Sequence, residues 1–295
     1  MSLPFKERLH FLFHHPEFRR RPVVVSFRLL VWLCCKQLGY APQIRVHENS
    51  CMRVYPEKYG MGAPGLFYVF REGFESLIPF CVRHFVEAGS SCFDIGANVG
   101  IWSLLMAEKC GNTGQVYSFE PLGRNARCLR QNIQLSGKGN ITVTETALGK
   151  ETGKVRIFTP DDPGRTSLAP ESADDQVEEV PLRRLDDLWA EFNRVPVAFV
   201  KMDVEGSEPF VLEGGREFFG QCKPIIVSEI NPQKLASLGN KPEDVFQFLQ
   251  RLNYAAFQFN DHEGKLEPIG HCAHGDVVFI PEGHPVLGSA SFLKS

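Results

Sequence analysis

The stretch that decides the fold is CFDIGANVGIWSL, residues 92–104. A short apolar and aromatic run ends at Asp94, a turn follows with Gly96, Asn98 and Gly100, and a helical pattern begins directly after it. Glycine supplies backbone conformations that other residues resist, and it lets a ligand approach the main chain closely. The stretch therefore predicts a strand, a glycine turn and a helix in immediate succession.

A second predicted strand ends at Glu120, in VYSFEP. A carboxylate at that position can accept two hydrogen bonds from the ribose hydroxyls of a nucleoside cofactor. A dinucleotide site favours GxGxxG, which seats a pyrophosphate on the helix N-terminus, whereas this turn reads GANVG with Asp94 beside it. An acid there repels phosphates and suits the ammonium group of a methionine moiety. The pattern favours S-adenosylmethionine over NAD, and an NAD-linked oxidoreductase is the alternative.

From about residue 90, short β-branched or aromatic runs alternate with helical patterns, which is typical of an α/β fold with a parallel sheet covered by helices on both faces. Seven strands are predicted, and the loop 260–275 joins the last two as a hairpin. Residues 150–182 predict a β insertion after the third strand. The predicted strands are 92–95, 116–119, 141–146, 197–203, 225–230, 255–259 and 277–280, and the predicted helices are 99–109, 125–135, 185–192, 207–219 and 242–252, the last capped by Asn240.

Composition excludes several classes of protein. The 295 residues are 43% hydrophobic with a formal charge of −3, so no overall positive field attracts a nucleic acid. Nine cysteines without a CxxC pair indicate a reducing, cytoplasmic compartment. The charged start of the chain lacks an export signal, and the apolar stretch 23–35 is too short to span a bilayer, which takes about 20 apolar residues.

The charge is unevenly distributed. Residues 1–40 hold seven Lys or Arg against two Glu, a charge of +5, so the remaining 255 residues carry −8. Residues 19–38 show two helical stripes that could rest on an anionic membrane surface at the inner face of the membrane. Apolar helical stripes more often face a core, which is the alternative. The stripes are Val25, Leu29 and Leu33, and Arg28, Trp32 and Lys36.

The motifs, in their order, resemble the FkbM family of S-adenosylmethionine-dependent methyltransferases over about residues 73–281. The resemblance rests on FDIGANVGIWSL, VYSFEPLGRNARCLRQNIQLSG, ETALGKETGKVRIF, VPLRRLDDL, FVKMDVEGSEPFVLEGG and PIIVSEI. It implies a class I methyltransferase, Rossmann-like fold with sheet order 3-2-1-4-5-7-6 and an antiparallel seventh strand. It also implies methyl transfer to a hydroxyl of a sugar, glycolipid or secondary metabolite. The domain would span 73–295, after a partly helical N-terminal extension, 1–72.

The resemblance also implies which residues surround the cofactor. The turn residues would lie at its methionine end, Glu120 at its ribose, and the residues after the third strand near its adenine. An acid upstream of the turn would approach the cofactor or simply begin a helix. These residues are Asp94, Gly96, Asn98 and Gly100 for the methionine end, Ala147 and Leu148 for the adenine, and Glu75 for the upstream acid.

A second cluster, FVKMDVEGSE, ends the fourth strand at residues 199–208. Ligands in open α/β sheets bind beyond the carboxyl ends of the strands, so Asp203 is the first candidate for a general base or metal ligand, Glu205 the second, and Glu229 a third. Lys201 faces the same side as Asp203, and an architectural ion-pair network is the alternative. Oxygen ligands suit Mg²⁺, although the sequence does not demand a metal.

The acceptor is predicted to be a small molecule or a glycan. The [DN]PP[YFW] run expected for base methylation is replaced by DVEG, which disfavours a nucleic-acid substrate. The loop histidines His262, His271 and His274 are weaker candidates for a base. A non-catalytic, membrane-associated cofactor-binding protein is the remaining alternative, and the oligomeric state is left open.

Overall fold

The computed structural model describes residues 13–55, 63–70, 76–159, 168–170, 175–260, 263–270 and 275–288. The described residues of the N-terminal part form four helices and a two-stranded antiparallel hairpin. In chain order they are α1 (Pro16–Arg20), α2 (Pro22–Gln37), β1 (Gln43–His47), β2 (Ser50–Arg53), α3 (Ala63–Phe70) and α4 (Leu77–Phe85).

The remainder alternates strands and helices. The elements are β3 (Ser91–Ile95), α5 (Ile101–Cys110), β4 (Gln115–Phe119), α6 (Gly123–Leu135), β5 (Ile141–Thr144), β6 (Ala147–Leu148), β7 (Gly153–Thr159), β8 (Gln176–Arg183), α7 (Leu185–Glu191), β9 (Phe199–Met202), α8 (Glu208–Gly214), α9 (Arg216–Cys222), β10 (Ile225–Ile230), α10 (Pro232–Ser237), α11 (Pro242–Arg251), β11 (Tyr254–Asn260), β12 (Lys265–Pro268) and β13 (Gly275–Pro281). A 3₁₀ turn, Pro285–Leu287, follows.

The central sheet has the order β12-β11-β13-β10-β9-β3-β4-β5. Its seven strands from β11 to β5 correspond to the predicted strands in the order 3-2-1-4-5-7-6, and β13 runs antiparallel to β10. The prediction of seven strands is one short. Residues 265–268, interpreted from the sequence as loop, pair with β11 and extend the sheet at its edge, where Asn260 lies opposite Lys265.

The central strands carry apolar residues on both faces, as parallel strands covered by helices require. Along β9, Phe199 faces one apolar cluster and Val200 faces the other. The first cluster also contains Trp32 and Met52 of the N-terminal part, so the extension packs on the same core as the sheet. The boundary at 72/73 stays a prediction. Among the described residues, no helix has both the length and the apolar character needed to cross a bilayer.

The β insertion forms a sheet of its own. The predicted strands are β7 and β8, which pair antiparallel, and a short third strand, β6, pairs parallel with β8. At its base, the main chain approaches α8 closely, because a Cβ built on Gly214 would lie 1.9 Å from the carbonyl oxygen of Gly149. The insertion is therefore attached to the core by a contact between two backbones.

Two helix predictions need correction. The helix predicted over 207–219 is two helices, α8 and α9, which meet at Gly215, where a Cβ would lie 2.9 Å from a Leu185 methyl carbon. The N-cap of α11 is Lys241 rather than Asn240. Its backbone N–H donates a 2.8 Å hydrogen bond to the carboxylate of Asp244, which closes the first turn.

Candidate active site

The glycine turn lies against the carboxyl end of β9. Gly96, Asn98 and Gly100 all have positive φ, at 79°, 51° and 93°. A Cβ on Gly96 would lie 1.9 Å from the carbonyl oxygen of Asp203, so only glycine fits there. The glycine turn is therefore contiguous with the strand end that carries the candidate base.

Glu120 is joined to the same turn. Its Oε2 accepts a 2.8 Å hydrogen bond from the backbone N–H of Asn98, while Oε1 accepts from Leu122 N and from Asn125 Nδ2, both at 3.1 Å. The side chain is buried, and burial raises the pKa of Glu120 to about 7. A carboxylate oxygen can accept two hydrogen bonds, so Oε2 retains capacity for a ligand hydroxyl.

Asp94 lies fully buried beneath the turn. Its Oδ2 accepts a 2.5 Å hydrogen bond from Ser103 Oγ, which also contacts Ser118 Oγ at 2.8 Å. The ammonium of Lys201 lies 3.7 Å from Oδ1, and burial raises the pKa of Asp94. The structure thus places Asp94 where it supports the turn from below.

The structure describes two of the other predicted cofactor residues. Ala147 and Leu148 form β6, and Leu148 is buried in the apolar cluster around Phe93. Glu75 lies outside the described residues, as do the three loop histidines. Their roles stay predictions.

The structure brings the three predicted catalytic carboxylates together. One oxygen from each of Asp203, Glu205 and Glu229 lies within 4.8 Å of the others, at the carboxyl ends of β9 and β10. Glu205 has a left-handed backbone, with φ at 57°. The sequence could place each acid at a strand end, and the parallel pairing of β9 with β10 makes them neighbours.

Glu229 lies beside Asp203 in the cluster. Glu229 hydrogen-bonds to Asp203, and burial together with the nearby carboxylates of Asp203 and Asp276 raises the pKa of Glu229 to about 8. A desolvated carboxyl beside other acids retains its proton, because ionisation would add like charge at short range. Glu229 therefore holds a proton at neutral pH and donates it in the hydrogen bond to Asp203.

Two lysines neutralise the cluster. The Lys234 ammonium contacts Glu205 and lies 4.0 Å from Glu229 Oε2. The Lys201 ammonium lies 3.6 Å from Asp203 Oδ2 and donates a 2.9 Å hydrogen bond to Gly96 O. Three carboxylates have the chemistry that Mg²⁺ prefers, but a protein ammonium already contacts one of them. The residues present thus balance much of their charge without an ion.

A cavity of about 120 Å³ opens between the cluster and α4. Its walls are Ile78, Lys201, Met202, Asp203, Val227, Glu229 and Asp276. Asp276 and Lys234 were missed from the sequence. Asp276 lies near the start of β13 and pairs with Glu229. Because β13 is antiparallel, its first residues lie at the same edge of the sheet as the carboxyl end of β10. The antiparallel direction predicted for this strand could therefore have identified Asp276.

Glu208 was also missed. It is 1% exposed, and its Oε1 accepts hydrogen bonds from Val204 N and Gly206 N, both at 3.3 Å. Burial raises its pKa to about 7. These bonds tie the loop that carries Glu205 to the start of α8, which gives Glu208 a structural role.

Several solved structures resemble the chain. One is methyltransferase FkbM from Methylobacillus flagellatus KT, at 18% identity and TM-score 0.42, covering 74% of this chain and 52% of that one. A second is a SAM-dependent O-methyltransferase from Thermotoga maritima, at 12% identity and TM-score 0.38, covering 70% of this chain and 64% of that one. A third is Aeropyrum pernix fibrillarin with bound S-adenosyl-L-methionine, at 12% identity and TM-score 0.37, covering 66% of this chain and 67% of that one.

The chain thus spans about half the length of the Methylobacillus protein. No curated protein sequence matches it significantly. The family model of the methyltransferase FkbM domain matches residues 94–256, more than half of the chain, from the strand that carries Asp94 to β11. The matched region contains the glycine turn, Glu120 and the three clustered carboxylates, and the chain belongs to the FkbM methyltransferase family.

Proposed function

We propose that the chain transfers a methyl group from S-adenosylmethionine to a hydroxyl of a sugar, glycolipid or secondary metabolite. The observation that carries the proposal is the position of Lys201, which donates to Gly96 O in the glycine turn and lies 3.6 Å from Asp203. A cofactor held at the turn and a proton acceptor at the strand end are therefore side by side.

The turn has the acceptors that a sulfonium amino acid requires. Among the described residues, Asn98 Oδ1 is buried without a hydrogen-bond partner, and Glu120 Oε2 has room for another donor. An amide oxygen suits the ammonium group, and the carboxylate suits the ribose diol. We assign Gly96, Asn98, Gly100 and Glu120 to the cofactor, and retain Glu75, Ala147 and Leu148 as proposals for its remaining contacts. When bound, S-adenosylmethionine supplies an electrophilic methyl group.

The contribution of the protein is to take the proton that the acceptor hydroxyl loses as its oxygen bonds to the methyl carbon. We assign this role to the Asp203–Glu229 pair, because the two acids face the cavity and share a hydrogen bond. A base with a pKa near the working pH is the most effective. Glu205 contacts Lys234, so we assign it the role of positioning that lysine against the pair.

Titration calorimetry tests the cofactor. We expect S-adenosylmethionine and S-adenosylhomocysteine to bind and NADH not to bind, because Asn98 stands where the middle glycine of a dinucleotide turn would lie. Binding of NADH alone would overturn the methyltransferase proposal in favour of an oxidoreductase.

A second experiment tests the acceptor. Transfer of a labelled methyl group is measured across glycans, glycolipids, hydroxylated metabolites and, for contrast, RNA. A labelled hydroxyl compound supports the proposal. Methylation of RNA alone, with the other acceptors unlabelled, contradicts it.

A further inference from the structure

Helix α2 is apolar on two opposite faces. Its inner face is buried against the core through Val25 and Trp32, both 0% exposed. Its outer face, which we define as Val23, Phe27 and Leu30, is 80%, 65% and 59% exposed. These three side chains recur at the spacing of one helical stripe. A helix that is apolar all round is expected to have both faces covered.

The outer face differs from the stripes predicted from the sequence. Val25 and Trp32, one from each predicted stripe, lie in the core, and Arg28 donates a hydrogen bond to Val69 O at 3.4 Å. The interpretation of the predicted stripes as core-facing is therefore confirmed for Val25 and Trp32. The exposed apolar surface lies on the opposite side of the helix.

Exposed positive charge flanks helix α2 at its start and at its end. Arg19 and Arg20 precede the helix and Lys36 lies in its last turn, and all three are exposed. The only acid between residues 13 and 40 is Glu17, which is buried and lies 4.0 Å from Arg21. An exposed apolar stripe between exposed cations is complementary to a lipid surface that carries negative headgroups.

We propose that the outer face of α2 binds the surface of a bilayer that contains anionic lipids. A second copy of the chain is a poorer occupant, since it would bring two positively charged segments together. The proposal is independent of the methyl-transfer function. It also relates the bilayer to the site, because Trp32 packs against Tyr68 of α3, with ring centres 5.2 Å apart, in the same cluster as the cavity residue Ile78.

Vesicle flotation of the full chain tests the proposal, with phosphatidylcholine vesicles prepared with and without phosphatidylserine. We expect the chain to float only with phosphatidylserine. The double variant Phe27→Gln/Leu30→Gln should reduce the bound fraction by about tenfold or more, because it removes the apolar contact. The double variant Arg19→Gln/Arg20→Gln and added salt should each weaken binding as well, because both reduce attraction to anionic headgroups.

The matched control is Val177→Gln, which replaces another exposed apolar residue on the distant strand β8. It should float like the unmodified chain, and all variants should keep the same melting temperature. Flotation that is unchanged by Phe27→Gln/Leu30→Gln, or absent with phosphatidylserine, would overturn the proposal. A dimer detected by light scattering that this double variant dissociates would also overturn it, by assigning the face to self-association.

Discussion

Lys201 donates a 2.9 Å hydrogen bond from Nζ to the carbonyl oxygen of Gly96, a residue 105 positions earlier in the chain. The lysine is buried in the middle of the sheet, between Asp94 and Asp203. One cation therefore joins the glycine turn, the acid beneath it and the acid at the strand end.

Replacing this cation is expected to destabilise the fold. Lys201→Met leaves the buried carboxylate of Asp94 without its counter-charge, which typically costs about 3 kcal/mol or more. Urea unfolding followed by circular dichroism measures the loss. Lys154→Met, which removes an exposed lysine of β7, should leave stability nearly unchanged. Equal effects of the two substitutions would contradict the assigned importance of Lys201.

The glycine turn is expected to tolerate no side chain. Gly96→Ala should abolish binding of S-adenosylhomocysteine, because the added Cβ would collide with the carbonyl oxygen of Asp203. The control is Gly139→Ala, since a Cβ there meets no atom within 4 Å. Calorimetric titration of both variants decides the matter, and normal binding by Gly96→Ala would show that the turn does not hold the cofactor.

Methyl transfer should depend on pH through Glu229. Its raised pKa, about 8, means that the ionised pair is scarce at pH 7 and grows as the pH rises through 8. The rate at saturating substrates should rise over that range. Glu229→Gln should remove the rise and lower the rate by about 10²-fold, a typical contribution from a general base.

The control for this profile is Glu282→Gln, an exposed position beyond β13. It should keep both the rate and the pH dependence of the unmodified chain. A rising limb that persists in Glu229→Gln would assign the titration to another group.

Glu208 should make stability fall with rising pH. Its pKa is about 7 in the folded chain and near 4.5 when unfolded, so the unfolded state releases the proton first. The contribution of Glu208 to stability is lost between these values and does not change further above about pH 7. Glu208→Gln should remove a decline of up to about 3 kcal/mol. Unfolding curves from pH 4 to pH 8 would contradict this expectation if both proteins declined equally.

Much of the sheet could be predicted from the sequence, because its strands are short apolar runs with clear boundaries. The predicted strand at 225–230 and β10 coincide, and the glycine turn follows β3 as expected. The edge strand β12 was missed because KLEP is short and polar. Its strand conformation depends on pairing with β11 and not on its composition. The single helix predicted over 207–219 failed because local periodicity does not show the contact of Gly215 with Leu185.

The acids of the candidate site were identifiable because each ends a parallel strand. Lys234 and Asp276 were not identified, since one follows the sheet on α10 and the other enters from an antiparallel strand. The raised pKa of Glu229 depends on burial and on neighbouring acids, which only the folded chain provides. The sequence therefore identified the three acids of the cluster, but it did not show what each of them does.

The contact between Gly149 and Gly214 has a consequence for how this protein can diversify. It joins the insertion to α8 through main-chain atoms, while Ile157 of β7 and Val180 of β8 also pack against Leu122 of the core. We expect residues 153–183 to be exchangeable between related proteins as a cassette, provided that both glycines and the apolar contact of Ile157 and Val180 with Leu122 are retained. Acceptor preference could then evolve by replacing one module while the methyl-donor site is inherited unchanged.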